Sequence, residues 1–213
     1  MWLALLGAAL LAVLVCWWFW RRARACVCAL TPRRPLLRAP GALLHPLPVY
    51  WLESVISEQE NAHLLRLGKA KLQRSKVEGE HTSPDRTSSS AYLDDDAVIR
   101  AIKQRLAALC NYPERAFEPL QLVHYAPQQQ YRPHYDYLER PDSAHRHVTF
   151  FIYLDDADGA TEFPQLGLRV QPKRNCAALW YNVDAQGRPD PRTLHAGLPP
   201  TREKHGINVW VRG

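Results

Sequence analysis

Beyond residue 119 the chain takes up a period-two pattern that restricts what it can fold into. Leu120–Tyr125, Tyr131–Tyr137, Val148–Leu154, Gly159–Phe163, Leu168–Val170, Ala177–Tyr181, Leu194–Ala196 and Ile207–Val211 are short runs rich in β-branched and aromatic residues. Gly, Pro, Asp and Asn separate them about every ten residues, a spacing that leaves no room for helices and predicts a sandwich or closed barrel. Upstream the pattern is helical. Ser57 followed by Glu60 has capping-box spacing and opens a stretch through Leu64, Leu65 and Leu67. Asp94, Asp95 and Asp96 precede the stripe Val98, Ile99, Ile102, Leu106 and Leu109, placing acids at the positive end of a second helix. Residues 74–90 are polar and read as a strand-and-loop excursion. The soluble body is therefore expected to be α+β, mainly β. Residues 49–118 would form an N-terminal helical support region, and 119–213 a barrel.

The first twenty residues obey a different rule. Trp2–Trp20 contains no charged residue, and nineteen residues at about 1.5 Å each span roughly 28 Å of helix, close to the ~30 Å hydrocarbon core. Trp17, Trp18 and Trp20 cluster where aromatic rings settle at headgroup level, and Arg21, Arg22 and Arg24 follow. Residues 1–20 are thus expected to be a retained transmembrane helix. A cleavable signal peptide ending at Ala23-Arg24-Ala25 is the rival; it would have a basic residue before the apolar run, and none precedes it. By the positive-inside rule the protein is expected to be a single-pass membrane protein with its body in the cytoplasm. Residues 21–48, with Pro32, Pro35, Pro40, Pro46 and Pro48 among Arg and small residues, read as an extended basic tether. Its Cys26 and Cys28 are either free thiols or acylation sites. Five scattered cysteines form no disulfide or zinc pattern.

Charge separates these regions. The 27 basic residues outnumber the 21 acidic ones. Arg21, Arg22, Arg24, Arg33, Arg34 and Arg38 account for the whole excess, since residues 1–40 contain no acid and the remainder balances at 21 of each sign. A neutral body with a basic collar points to a membrane surface and excludes a nucleic-acid groove.

His134-Tyr135-Asp136 is the first chemical signal. On a strand, residues i and i+2 share a face about 6–7 Å apart and can converge on one ion. Alone the pair is as compatible with an ordinary hydrogen bond. His195, on a late strand, adds the third member of a two-histidine, one-carboxylate set, the facial triad of non-haem Fe(II), which leaves coordination positions open for cosubstrate and dioxygen. Lys204 lies nine residues further on. It is either a partner for an anionic cosubstrate or a surface lysine in an exposed turn beside Glu203.

Several ordered motifs then resemble the prolyl 4-hydroxylase-type Fe(II)/2-oxoglutarate dioxygenases. They are Leu120-Gln-Leu-Val-His-Tyr-Ala-Pro-Gln-Gln-Gln-Tyr-Arg-Pro-His134-Tyr-Asp136, Gly159-Ala-Thr-Glu-Phe-Pro164, Val170-Gln-Pro-Lys173, Ala178-Leu-Trp-Tyr-Asn182, Asp190-Pro-Arg-Thr-Leu-His195-Ala-Gly and, upstream, Arg86-Thr-Ser-Ser-Ser-Ala-Tyr-Leu. The resemblance runs from about residue 49 to the end. It implies a double-stranded β-helix, a jelly-roll or cupin-like barrel, buttressed by the N-terminal helices.

It further implies His134, Asp136 and His195 as ligands of Fe(II). Lys204 and Tyr125 would hold the distal carboxylate of 2-oxoglutarate, Thr149 would border that cosubstrate, and Arg146 and Trp210 would flank a peptide groove. O2 is the second cosubstrate and L-ascorbate the expected reductant of oxidised iron. The implied reaction is hydroxylation of a peptidyl proline, with succinate and CO2 as co-products. Two alternatives remain: a 2-oxoglutarate-dependent hydroxylase of another residue or of a small molecule, and a non-catalytic membrane-tethered binding module. The chain departs from the family pattern in two places. Arg202-Glu203-Lys204-His205 replaces the family's Gly-x-Lys-Trp with a loop one residue short, and Arg212 stands where relatives often carry His.

Overall fold

The computed structural model describes residues 34–35, as backbone, and 49–77, 81–137 and 145–213. The Trp2–Trp20 run, the Arg collar and most of the tether, Cys26 and Cys28 included, lie outside the described residues. Among those described, no helix is long and apolar enough to cross a membrane.

Among the described residues twelve strands follow in chain order: β1 (Arg34–Pro35), β2 (Val49–Leu52), β3 (Gln73–Arg74), β4 (Ser89–Tyr92), β5 (Gln121–Tyr125), β6 (Tyr131–His134), β7 (Arg146–Tyr153), β8 (Thr161–Phe163), β9 (Leu168–Val170), β10 (Ala177–Tyr181), β11 (His195–Gly197) and β12 (Lys204–Arg212). They form an eight-stranded sheet of order β1-β2-β10-β7-β12-β5-β4-β3 and a four-stranded sheet of order β6-β11-β8-β9. The result is a mainly β, double-stranded β-helix. Residues 49–118 contribute more than helices, because β2 extends the large sheet beside β10 and β4 extends it beside β5.

Both α-helices of the described residues begin where local chemistry dictates. In α1 (Glu58–Gly68) the Ser57 hydroxyl accepts from the Glu60 N–H at 3.2 Å while the Glu60 carboxylate accepts from the Ser57 N–H at 2.7 Å. This reciprocal cap satisfies two otherwise orphaned donors. In α2 (Ala97–Cys110) Asp96 accepts from the Ile99 N–H at 2.9 Å, and Asn111 closes the helix in the left-handed region at φ 61°. The other acids of the Asp94–Asp96 run form ion pairs, Asp95 with Lys103 and Asp94 with Lys71.

The alternation along the central strands divides the core in two. Phe150 and Ile152 of β7, Leu179 of β10, and Ile207 and Val209 of β12 pack with Leu64 of α1 and with Ile99, Ile102 and Leu106 of α2. Their neighbours Phe151, Tyr153, Ala178 and Trp180 face the small sheet, where they meet Phe163 and Val170. The sheet is covered on both faces, so its central strands are apolar almost throughout. Gly206 has a steric role here, because a Cβ at that position would lie 2.4 Å from the Phe151 ring.

Two boundaries differ from the sequence reading by three residues. β6 stops at His134, with Asp136 in the bend that follows, so the pair is not an i, i+2 set on one strand. β12 starts at Lys204, three residues before the apolar run at Ile207, because Lys204 and His205 pair with Tyr125 and His124 of β5. A pattern keyed to apolar residues does not register a strand that opens with two polar ones. Cys110 and Cys176 are buried.

Candidate metal centre

His134 and His195 meet across the β6–β11 ladder, where they are direct register partners with rings 4.2 Å apart. Each uses Nδ1–H to donate to the carbonyl two residues earlier, His134 to Arg132 at 2.8 Å and His195 to Thr193 at 2.9 Å. That fixes the tautomer and leaves each Nε2 lone pair free. Both Nε2 atoms turn to the Asp136 carboxylate, at 3.9 Å from His134 and 3.6 Å from His195. One ligand atom from each of the three residues falls within 4.8 Å of the others.

The electrostatics favour a cation at this point. Burial, reinforced by neighbouring His195, holds His134 down at about 3, so its imidazole is neutral near pH 7. Burial works against the charged form of Asp136. The two imidazoles, Arg146 and the Thr149 hydroxyl outweigh it, and the carboxyl stays below its ordinary range. Two imidazoles with Nδ1–H engaged on carbonyls, together with one buried carboxylate, converge on a point and match the donor set of a divalent iron site.

A groove of about 1150 Å³ leads to the triad, lined among others by Tyr92, Tyr131, His134, Asp136, Arg146 and Trp210. Behind it lies a small inner chamber, to which Tyr131, His134, Asp136 and Trp210 are common. At the chamber's far end sits Lys204, 1% exposed, its Nζ 4.6 Å over the Tyr125 ring and donating to the Gly159 carbonyl at 2.5 Å. It is not a surface lysine. Burial lowers its pKa to about 8, and it is the one cation among the described residues lining the chamber. A buried ammonium bonded to a single carbonyl is poised for an anion. The neighbouring cations are engaged elsewhere: Arg202 donates to the Asp156 carbonyl and Arg212 to Glu118. The loop before it leaves the lysine facing the chamber. Gly197 accommodates the Tyr125 ring, since a Cβ there would stand 3.2 Å from its hydroxyl.

The structure brings together His134, Asp136, His195, Tyr125, Lys204 and Trp210 around the chamber. Thr149 lines neither cavity. Its hydroxyl donates to Asp136 at 2.9 Å and accepts from the Asn182 amide at 3.0 Å, so it braces the carboxylate. Arg146 sits 3.7 Å over the Trp210 ring and makes two hydrogen bonds of 2.8 Å to Glu118 at the groove wall. The indole N–H of Trp210 is buried without a hydrogen-bond partner.

Sequence reasoning assigned no role to several supporting residues. Tyr131 stacks on His134 at 3.5 Å, and Arg86 lies 4.8 Å over Tyr131 while donating to Gln121 at 3.1 Å. Trp180 packs 4.7 Å from His195. These residues stood inside the quoted motifs, but aromatic residues on strands read as core until their cross-strand neighbours are known.

Residues 120–212 match the family described as the 2OG-Fe(II) oxygenase superfamily. The chain is 35% identical over 160 residues to prolyl 4-hydroxylase subunit alpha-2 of Gallus gallus, covering 68% of this chain and 30% of that protein. It is 30% identical over 189 residues to probable prolyl 4-hydroxylase 6 of Arabidopsis thaliana, covering 73% of this chain and 66% of the relative. It thus spans about a third of the length of the animal subunit. Among solved structures, the viral collagen prolyl hydroxylase of Paramecium Bursaria Chlorella virus-1, a 2OG complex, superposes with a TM-score of 0.64 at 25% identity, over 78% of this chain and 96% of that one.

Proposed function

This chain belongs to the 2OG-Fe(II) oxygenase superfamily, and from that footing we propose that it hydroxylates a proline in a peptide or protein, using O2 and 2-oxoglutarate and releasing succinate and CO2. The observation that carries the reading is the connection of three features along one path: an open groove, a triad of converging Nε2 and carboxylate atoms, and a chamber closed by an unmatched lysine. His134, Asp136 and His195 would hold Fe(II). When bound, iron with 2-oxoglutarate supplies the oxygen-dependent oxidation of an unactivated C–H bond.

The protein's own groups supply order and exclusion. Lys204 would neutralise the distal carboxylate of 2-oxoglutarate, with the Tyr125 hydroxyl as its neutral partner. Phe151, Trp180 and Trp210 supply the chamber's apolar wall, and the burial they share with Lys204 strengthens an ion pair inside it. Thr149, fixed by Asn182, holds the Asp136 carboxylate in position. Arg146 and Trp210 form the wall against which a peptide would lie. Lys71, Arg74, Lys76 and Arg86 also line the groove. Its acids are Glu118, which is paired with Arg146 and Arg212, and Asp136 at the triad. The excess of positive charge supports a substrate with acidic residues near the proline.

Incubating the protein with Fe(II), 2-oxoglutarate, ascorbate and proline peptides in air tests the reading. One succinate per oxygen atom gained by a peptide is expected, with acidic flanks preferred. Succinate release with no peptide oxidised at proline would overturn the assignment in favour of another acceptor. We place the body on the cytoplasmic side of a membrane, anchored by residues 1–20, on the strength of the apolar run and Arg collar. Protease added outside intact cells should leave the body untouched.

A further inference from the structure

Strands β5 and β12 carry a second histidine pair on the face opposite Tyr125 and Lys204. His124 and His205 are register partners, and their rings stack at 4.7 Å with 29° between planes. Glu203, immediately before Lys204, brings its carboxylate to the same point, so that one ligand atom from each of His124, Glu203 and His205 lies within 4.8 Å of the others. Nothing in the proposed reaction uses these residues. Glu203 and His205 fall in the stretch Arg202-Glu203-Lys204-His205, where the chain departs from the pattern it otherwise resembles.

Each donor is prepared for an ion. The Asp155 carboxylate accepts from the His205 backbone N–H at 2.7 Å and from its Nδ1–H at 2.8 Å. This double contact fixes ring orientation and tautomer and leaves Nε2 with a free lone pair, the carboxylate–histidine arrangement found behind metal ligands. Nε2 of His124 is buried and has no hydrogen-bond partner, the nearest acidic oxygen being Glu203 Oε1 at 3.8 Å. Folded proteins seldom leave such an atom unpaired. Burial and the neighbouring His205 lower the His124 pKa, so its imidazole is neutral and able to ligate at pH 7. The carboxylates of Glu203 and Asp155 provide the compensating charge, opposed by Lys69. Glu203 is exposed, and its side chain is free to turn inward and close the set around an ion.

We propose that His124, Glu203 and His205 form a second cation site, taking a divalent transition ion of the zinc class through two imidazole nitrogens and one carboxylate, with Asp155 bracing His205. Two nitrogens and one oxygen suit Zn(II), Co(II) or Ni(II) and disfavour Mg(II) or Ca(II), which want oxygen throughout. Because Glu203 and His205 flank Lys204 in sequence, an ion held here ties down the start of β12, the segment that aims the lysine into the chamber.

Equilibrium titration of the full chain with Co(II), read by bound metal after dialysis and by the visible absorption of the ion, tests the site. Wild-type protein should bind two equivalents, His195→Ala one, His124→Ala one, and His195→Ala with His124→Ala none. Glu203→Gln, a surface change that leaves the fold alone, should weaken one equivalent at least tenfold without touching the other. A wild-type stoichiometry of one, or two equivalents retained in His124→Ala, overturns the proposal. Should His124→Ala misfold, Glu203→Gln decides: unchanged affinity for both equivalents overturns the site equally.

Discussion

The two faces of the eight-stranded sheet are made by the same strands and differ in almost every property. Towards the helices, Phe150, Ile152, Leu179, Ile207 and Val209 form a core without a polar atom, all fully buried. Towards the small sheet, the alternate positions carry Tyr125, Thr149, Lys204, Asn208 and Trp210 among aromatic rings. Strand geometry makes the division possible, because successive side chains point to opposite faces. β7 and β12 can therefore carry stability on one face and chemistry on the other. The difference teaches that polar burial on the inner face is tolerated only where a partner exists or is awaited: Thr149 has Asp136 and Asn182, while Lys204 has one carbonyl.

Substitutions confined to one face should report on that division. The largest effect is expected from His195→Ala, which removes one of the three proposed metal donors; Fe(II) binding and turnover should be abolished, as measured by iron retention and succinate release. Phe150→Ala is its counterpart on the other face and should cost about 3–5 kcal/mol of stability through lost burial and a cavity. The fraction still folded should bind Fe(II) normally. Loss of iron binding in folded Phe150→Ala would mean that the two faces are coupled.

Lys204→Ala should weaken 2-oxoglutarate binding by about 100-fold or more. Leaving a buried anion unpaired costs on the order of 3–5 kcal/mol, at about 1.4 kcal/mol per decade. Iron binding should survive, Lys204→Arg should restore affinity only in part, and Arg202→Ala or Arg212→Ala should change it little. A steep loss in either arginine variant with Lys204→Ala unaffected would move the anchor. Thr149→Val keeps shape but removes the support of Asp136, for an expected 10–100-fold loss of iron affinity that Thr149→Ser restores.

The smallest expected effect is that of pH. Only protonated Lys204 can pair with a carboxylate, and burial has brought its pKa to about 8. The affinity for 2-oxoglutarate should hold below that value and fall as pH rises through it, by about tenfold at pH 9. Because the folded pKa lies below the unfolded one, the same group makes the cosubstrate-free protein more stable as pH rises from about 8 towards the ordinary lysine range. A flat affinity up to pH 10 would show that Lys204 is not the anchor.

Much of this was legible in the chain. Ser57, Glu60 and Asp96 announce their helices through backbone hydrogen bonds spanning three residues, and turn residues bracket most strands. His134, Asp136, His195 and Lys204 were singled out through the order of motifs that resemble the family, and the structure brings the four together. What stayed hidden was every property that depends on which strand lies beside which. Asp136 sits past the end of β6 and reaches the triad through a bend. Thr149 turned out to brace a carboxylate, and Tyr131 to stack on a histidine. The pairing of His124 with His205 belongs to a ladder between β5 and β12, residues 81 positions apart in number.

The amino-acid sequence by itself determined the period of each segment, the starts of the helices and the inventory of donors, since these arise from neighbours within a few residues of one another. Tertiary structure alone decided which donors converge, the orientation of Lys204 after a shortened loop, and which imidazole nitrogens keep a free lone pair. Those depend on cross-strand register and on burial, and both are set by contacts between segments far apart along the chain.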